Sequence, residues 1–176
     1  MHINTQGLVL REVNYKEADK ILTVLTAEGG KRTVKARGCR RKGSRLAACA
    51  QLLVYSEMTL FEYRDYYTLN EAESLQQFWG VKADVEKLAL GSYCAQVLEA
   101  VAEEGRSDPK LLSLILTPLY ALDKLNKPQA LVKAAFELRL MCLAGYEPLL
   151  DACAVCGVPA PEQPQLSLSE GGLCCG

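Results

Sequence analysis

Ile21-Leu-Thr-Val-Leu-Thr-Ala-Glu-Gly-Gly-Lys-Arg-Thr-Val-Lys-Ala-Arg-Gly-Cys-Arg-Arg-Lys-Gly-Ser-Arg45 is two β-rich runs around a Gly-Gly turn, followed by a basic loop. Ile21 to Thr26 is apolar and β-branched enough for a short, largely buried strand. Ala27 to Gly30 reads as the turn of a hairpin. The returning strand alternates, with Arg32, Val34 and Ala36 on one parity and Lys31, Thr33, Lys35 and Arg37 on the other. It runs into a Gly-flanked loop, Gly38 to Ser44, that holds Arg40, Arg41 and Lys42, with Arg45 just beyond. Eight of the fifteen residues from Lys31 to Arg45 are Lys or Arg and none is acidic, in a chain of net charge −1. The patch is therefore not a by-product of a basic composition. A cationic strand leading into a cationic loop suits a phosphate backbone, and Lys31, Arg32, Lys35, Arg37, Arg40, Arg41, Lys42 and Arg45 are the candidate contacts.

The surrounding sequence completes a β domain. Gly7 to Tyr15 mixes β-formers and charges at strand spacing, Leu52 to Tyr63 reads as a long strand, Arg64-Asp65 as a turn and Tyr66 to Ala72 as a further strand. Five strands in so short a span favour a small closed barrel, because closure removes exposed edges. From Ser74 the period changes. Val81, Val85, Leu88, Ala95, Leu98 and Ala102 recur at spacings of three, four and seven, one apolar face of a helix. Asp108-Pro109 forms an N-cap and N1 pair for a second helix, Lys110 to Leu125, in which Pro118 predicts a kink or interruption. Pro128 opens a third helix, Ala130 to about Ala144, with Gly145 placed to end it and Pro148 to stop any continuation.

Charge is uneven. Residues 1–80 carry twelve basic and nine acidic side chains, whereas 81–176 carry eight and twelve. The two halves are expected to do different work. No run approaches the roughly 18 apolar residues of a membrane span, and Met-His-Ile-Asn-Thr-Gln at the N-terminus does not read as a signal peptide. A cytoplasmic chain with reduced cysteines is the expectation. Cys39, Cys49, Cys94 and Cys142 are scattered and read as small core residues or incidental thiols.

The other cysteines cluster. Cys153-Ala-Val-Cys156-Gly157 is a knuckle whose two thiolates reach one tetrahedral zinc. Eighteen residues separate Cys156 from Cys175 and include the Pro-rich loop 159–164. A short alternating strand, Gln165 to Ser169, and a Gly171-Gly172 turn lead to Cys174 and Cys175, the layout of a zinc ribbon. The candidate ligands are Cys153, Cys156, Cys175 and Cys174 for a structural zinc. The chain stops one or two residues before a second CxxC could close, so either it is cut short or Cys174 and Cys175 both ligate, which is strained for adjacent residues. A redox CxxC would want a helix starting at the motif, and a loop stands there instead.

Catalytic sets are wanting. His2 is the one histidine, and no GxxxxGK[ST] or GxGxxG occurs. Glu12, Glu17, Asp19, Glu103 and Glu104 read as solvated surface. Tyr63, Tyr66 and Tyr67 offer faces on which bases could stack. The reading is non-enzymatic.

A set of segments carries a resemblance. Gly7-Leu-Val-Leu-Arg11, Tyr15-Lys-Glu-Ala-Asp-Lys-Ile-Leu-Thr23, Ala36-Arg-Gly38 with Arg40-Arg41-Lys42 and Ser44-Arg45-Leu46, Phe136-Glu-Leu-Arg139, Leu143-Ala-Gly-Tyr-Glu-Pro148, the Cys153 knuckle and Ser167-Leu-Ser-Glu-Gly-Gly172 follow in this order. Together the sequence resembles the RecO family of bacterial recombination mediators, over nearly its whole length. The resemblance implies an α+β chain: an OB-fold DNA-binding barrel over 1–78, a helical domain over 79–150, and a Cys-rich zinc-binding segment over 151–176. It also implies binding of single- and double-stranded DNA, annealing of complementary strands, and work with RecR to help RecA displace single-strand-binding protein. Carried over by position, the basic residues from Lys31 to Arg45 fall in the region expected to meet DNA, and Cys153, Cys156 and Cys175 on metal positions. Family members usually continue for several dozen residues, so a truncated chain is expected. An alternative from another class is an OB-fold interaction scaffold whose basic loop binds an acidic protein.

Overall fold

The structure, a computed structural model, describes residues 1–64 and 66–176. Asp65, half of the turn expected between two strands, lies outside the described residues. Five strands form a closed barrel in the order β1-β2-β3-β5-β4. They are β1 (His2–Tyr15), β2 (Asp19–Thr26), β3 (Gly30–Ala36), β4 (Tyr55–Tyr63) and β5 (Tyr66–Gln76). The first strand is long enough to serve two neighbours. Its His2–Leu8 half pairs with β4 and its Gly7–Tyr15 half with β2, with an irregularity between Val9 and Arg11 that bends it. Parallel pairing of Val34 with Tyr67 and Lys35 with Thr68 joins β3 to β5 and closes the sheet.

Inside the barrel lie Val9, Leu22, Val24, Val34, Met58, Leu60 and Leu69, and Ala36, Cys39 and Ala50 join the same cluster. Alternation along each strand puts these on the inner face. The strand expected from Leu52 begins at Tyr55. Leu53 takes φ +59°, and its N–H donates to Val9 O at 2.9 Å while Val9 N–H donates to Val54 O at 3.1 Å. Residues 52–54 therefore stitch the bend of β1 from a turn rather than extending β4. Cys39, Cys49 and Cys94 are buried and Cys142 is partly so, as small packing residues should be.

Four helices follow: α1 (Trp79–Lys82), α2 (Val85–Val101), α3 (Pro109–Asp123) and α4 (Gln129–Leu143). The expected first helix is split. Asp84 caps α2, its Oδ1 accepting from Glu86 N at 2.9 Å and Lys87 N at 3.1 Å, so Val81 belongs to α1 and Val85 is exposed. Asp108 caps α3 through Lys110 N at 3.0 Å, with Pro109 in the first turn. Of the kink or interruption expected at Pro118, the interruption does not occur: α3 continues through it as one helix with Pro118 buried. Gly91 lets α2 approach closely, since a Cβ there would stand 2.9 Å from Leu53 Cδ1 and 3.2 Å from Leu119 Cδ2.

Packing divides the chain into two compact units, Met1–Lys133 and Ala134–Gly176. Helices α1 to α3 thus share a unit with the barrel. The second unit begins within α4. There Gly145 at φ +92° ends the helix, with Tyr146 N–H returning to Met141 O at 2.9 Å. Beyond lies a small hairpin of β6 (Gln165–Ser167) and β7 (Gly172–Cys174).

Candidate nucleic-acid interface and metal centre

The eight cations of the basic stretch separate into three groups. Lys31 and Arg32 turn into the protein. Lys31 Nζ donates to Glu99 O at 2.8 Å, near the C-terminal end of α2, where carbonyls lack helical partners. Arg32 shares the inner parity of Val34 and Ala36. Its guanidinium lies 4.6 Å from the Tyr67 ring centroid, and its Nε and Nη1 are buried without a hydrogen bond among the described residues. Both candidates are half-buried, and these contacts secure the strand.

Lys35 and Arg37 face outward on the opposite parity and line a groove of about 850 Å³ on the barrel wall. Lys35 Nζ stands 3.2 Å from Asp19 Oδ2 and 4.9 Å from the Tyr15 ring. Arg37 is exposed, with no ion pair or hydrogen bond to its side chain among the described residues.

Arg40, Arg41, Lys42 and Arg45 are exposed on the loop after β3. The loop is anchored at its base. Gly38, at φ +63°, donates its N–H to Asp19 Oδ1 at 2.8 Å, and Arg40 N–H donates to Ala18 O at 3.0 Å. Arg41 N–H closes a turn on Gly38 O at 3.1 Å, and Ser44 N–H another on Arg41 O at 3.1 Å. Beyond the single bond from Arg40 Nη1 to Lys16 O at 3.3 Å, these four side chains meet no acid among the described residues.

Asp19, read from sequence as solvated surface, is the keystone of this arrangement. The Gly38 amide and the Lys35 ammonium hold its carboxyl below the ordinary aspartate range, against the opposing effect of partial burial. A carboxylate with a lowered pKa stabilises the fold above its ordinary pKa, and that stability is lost as pH falls through the folded value. Asp19→Asn should therefore flatten the acid limb of the stability curve below about pH 4, read from urea midpoints at a series of pH values.

Of the three tyrosines expected to offer faces, Tyr63 and Tyr66 stand opposite each other across β4 and β5 and are 59% and 77% exposed. Tyr67 packs inward, with its hydroxyl 3.0 Å from Glu62 Oε1. Tyr15 and Phe61 join the groove and were not singled out from the sequence. Their contribution depends on barrel closure, which no local pattern reveals.

In the second unit, the Sγ atoms of Cys153, Cys156 and Cys175 all lie within 4.8 Å of one another. Hydrogen bonds from Leu173 N to Leu149 O at 2.9 Å and from Ala154 N to Leu173 O at 2.7 Å bring β7 beside the knuckle. Cys153 Sγ accepts from Cys156 N at 3.5 Å and Cys175 N at 3.4 Å, and these amides lower its pKa to about 6. Cys175 is pushed up to about 11 by the neighbouring Cys156 and Cys153 thiols. Sulfurs about 2.3 Å from a tetrahedral zinc stand about 3.8 Å apart, close to this spacing, so the donor set fits a thiophilic cation. Cys174 does not join it. It ends β7, while Cys175, just past the strand, gathers with Cys153 and Cys156.

Comparison with known proteins decides the family. The profile "Recombination protein O N terminal" matches residues 1–78, and "Recombination protein O C terminal" matches 82–176. The chain is 34% identical to the "DNA repair protein RecO" of Acetivibrio thermocellus, over 99% of this chain and 69% of the relative. It is 36% identical to that of Alkaliphilus metalliredigens, over 99% and 71%.

The chain belongs to the RecO family.

The N-terminal RecO match ends where the strand period gives way to the helical one, just after β5. The barrel with its groove and basic loop lies within that match, and the cysteine cluster lies within the C-terminal RecO match. No enzymatic activity is named for these RecO relatives. No helix among the described residues is long and apolar enough to cross a membrane.

Proposed function

We propose that the chain is a non-enzymatic, DNA-binding recombination mediator of DNA repair. It binds single- and double-stranded DNA, anneals complementary strands, and works with RecR to help RecA replace single-strand-binding protein, in the cytoplasm at the nucleoid. The observation that carries this reading is the anchored loop with Arg40, Arg41, Lys42 and Arg45 exposed and unpaired by any acid among the described residues, beside Arg37. Cations without internal partners remain free for phosphates, and neutralising two strands at once lowers their repulsion while bases search for register. Cys153, Cys156 and Cys175 would hold a structural zinc in the second unit, where it would fix the knuckle against the β6–β7 hairpin.

Binding of a labelled single-stranded oligonucleotide across a salt series tests the DNA reading. Each phosphate neutralised should contribute about −0.7 to the log–log slope. Arg40→Ala/Arg41→Ala/Lys42→Ala should lose roughly two units of slope and weaken binding to every sequence alike. Identical curves for the two proteins would move the DNA path off the loop.

A further inference from the structure

The cysteines of the second unit differ in access. Cys156 and Cys175 are exposed, whereas Cys153 is buried and Cys174 partly so. The Sγ atoms of the two exposed residues stand 3.5 Å apart, although eighteen residues separate them in the chain. Backbone bonds hold them there. Gly157 N–H donates to Cys153 O at 2.9 Å and closes the knuckle behind Cys156, and Ala154 N–H donates to Leu173 O at 2.7 Å and ties β7 beside it. Cys153 Sγ is engaged elsewhere, accepting from the Cys156 and Cys175 amides at 3.5 Å and 3.4 Å. Two accessible thiols are thus presented to each other. A disulfide draws its sulfurs to about 2.0 Å, so a movement of about 1.5 Å, within reach of side-chain rotation, would join them.

We propose that Cys156 and Cys175 form an oxidation site, which hydrogen peroxide converts into a reversible disulfide. The sulfur of one exposed thiol attacks a peroxide oxygen. The S–O bond forms, the O–O bond breaks, and the departing hydroxide takes the thiol proton as water, leaving a sulfenic acid. The facing thiol then attacks that sulfur. The S–S bond forms, the S–O bond breaks, and the oxygen leaves with the second thiol proton as another water. Two thiols lose two electrons, and one peroxide is reduced to two waters. Proximity sets the outcome, because a thiol 3.5 Å away captures the sulfenic acid before a second peroxide carries it to the sulfinic acid. Cys153 is shielded and held by two amides, and a bridge between neighbouring Cys174 and Cys175 would close a small, strained ring. The consequence for the metal rests on the structural-zinc reading. The thiolate is the form that ligates, so the bridge leaves Cys153 as one ligand where three stood. The knuckle and the end of the hairpin stay linked, now by a covalent bond.

The experiment treats the whole chain, zinc-loaded and metal-free, with stepwise equivalents of hydrogen peroxide, then blocks the remaining thiols by alkylation. A glutamyl endoprotease cutting after Glu162 and Glu170 separates the knuckle from the Cys174-Cys175 end, and tandem mass spectra of the unreduced peptides assign the bridged sulfurs. A bridge between Cys156 and Cys175 should form in both preparations, with Cys153 and Cys174 recovered alkylated, and dithiothreitol should restore all the thiols. A chromophoric chelator should read one zinc released per bridge from the loaded chain. Cys156→Ser should abolish the bridge and Cys174→Ser should leave it, while the mapping of the unaltered chain decides the matter if either variant is unstable. A main product bridging Cys153 to Cys156 or Cys174 to Cys175, or sulfinic acid with no bridge, overturns the proposal. Zinc release without a bridge also overturns it and leaves the zinc reading in place. A bridge between Cys156 and Cys175 in a chain that takes up no zinc overturns the zinc reading and leaves the oxidation site standing.

Discussion

Gly30→Ala should cost about 3 to 5 kcal/mol of folding stability, while Gly38→Ala costs only about 1 to 2. The two glycines have nearly the same backbone, φ +61° and +63°. A left-handed conformation penalises any Cβ in the same way at both. Their surroundings differ. A Cβ at Gly30 would lie 2.1 Å from Arg106 O and 2.9 Å from Glu103 O, which are backbone atoms that cannot swing aside. At Gly38 the nearest atom is Arg41 Cδ at 3.6 Å, an ordinary contact. Gly30 also sits where the β2–β3 turn meets the segment after α2. Lys31 N–H donates to Glu103 O at 3.2 Å, Ser107 Oγ to Ala27 O at 3.2 Å, and buried Thr26 bridges Gly29 N and Gly30 O. Pushing Arg106 and Glu103 away breaks this junction as a unit. Urea unfolding of both variants checks it, and equal midpoints would mean that the junction gives way freely.

The same hairpin explains how much the sequence could tell. Strict alternation from Lys31 to Arg37 fixed which side chains face inward, because a one-residue slip would expose Val34 and Ala36. That alternation already placed Arg32 with Val34 and Ala36. Its charge suits a phosphate contact, whereas its parity sets it among the inward residues. Lys31 is a different case, since its outward parity is right and only the later arrival of α2 captures its ammonium. The Asp84 cap had a local signature that the stripe from Val81 to Val85 obscured. Pro118 illustrates tertiary override: with Leu114, Ile115, Leu119 and Leu122 all buried on the same helix, packing holds α3 together across the missing N–H. Leu53 has no such signal, because its positive φ answers to the bend in β1 some forty residues earlier in the chain. Tyr15 and Phe61 enter the groove only through strand register, a long-range property, whereas Tyr63 and Tyr66 stand close together in the sequence, where they read as candidate faces along with Tyr67.

Cys153→Ser, Cys156→Ser and Cys175→Ser should each lower zinc affinity by at least about 100-fold, and Cys174→Ser should leave it unchanged. The prediction follows from which sulfurs gather more than from cysteine count. Three sulfurs share a space less than 5 Å across, and bringing them together without a cation leaves the thiols in conflict: Cys153 gives up its proton near about 6 while Cys175 holds its own to about 11. A divalent metal removes that conflict by replacing the protons. Binding should therefore release protons in the neutral range and weaken as pH falls and protons compete for the sulfurs. Competition with a chromophoric chelator at several pH values measures both effects. Because Ala154 N–H, Leu149 O and Leu173 connect the knuckle to the β6–β7 hairpin, removing the metal should also expose the 159–164 loop to proteolysis before the barrel is touched. If Cys174→Ser weakens zinc as much as Cys175→Ser, Cys174 is a ligand too and the three-sulfur set is not the donor set. If the unaltered chain takes up no zinc, the shared thiol space is a packing arrangement, with Cys153 held by the Cys156 and Cys175 amides.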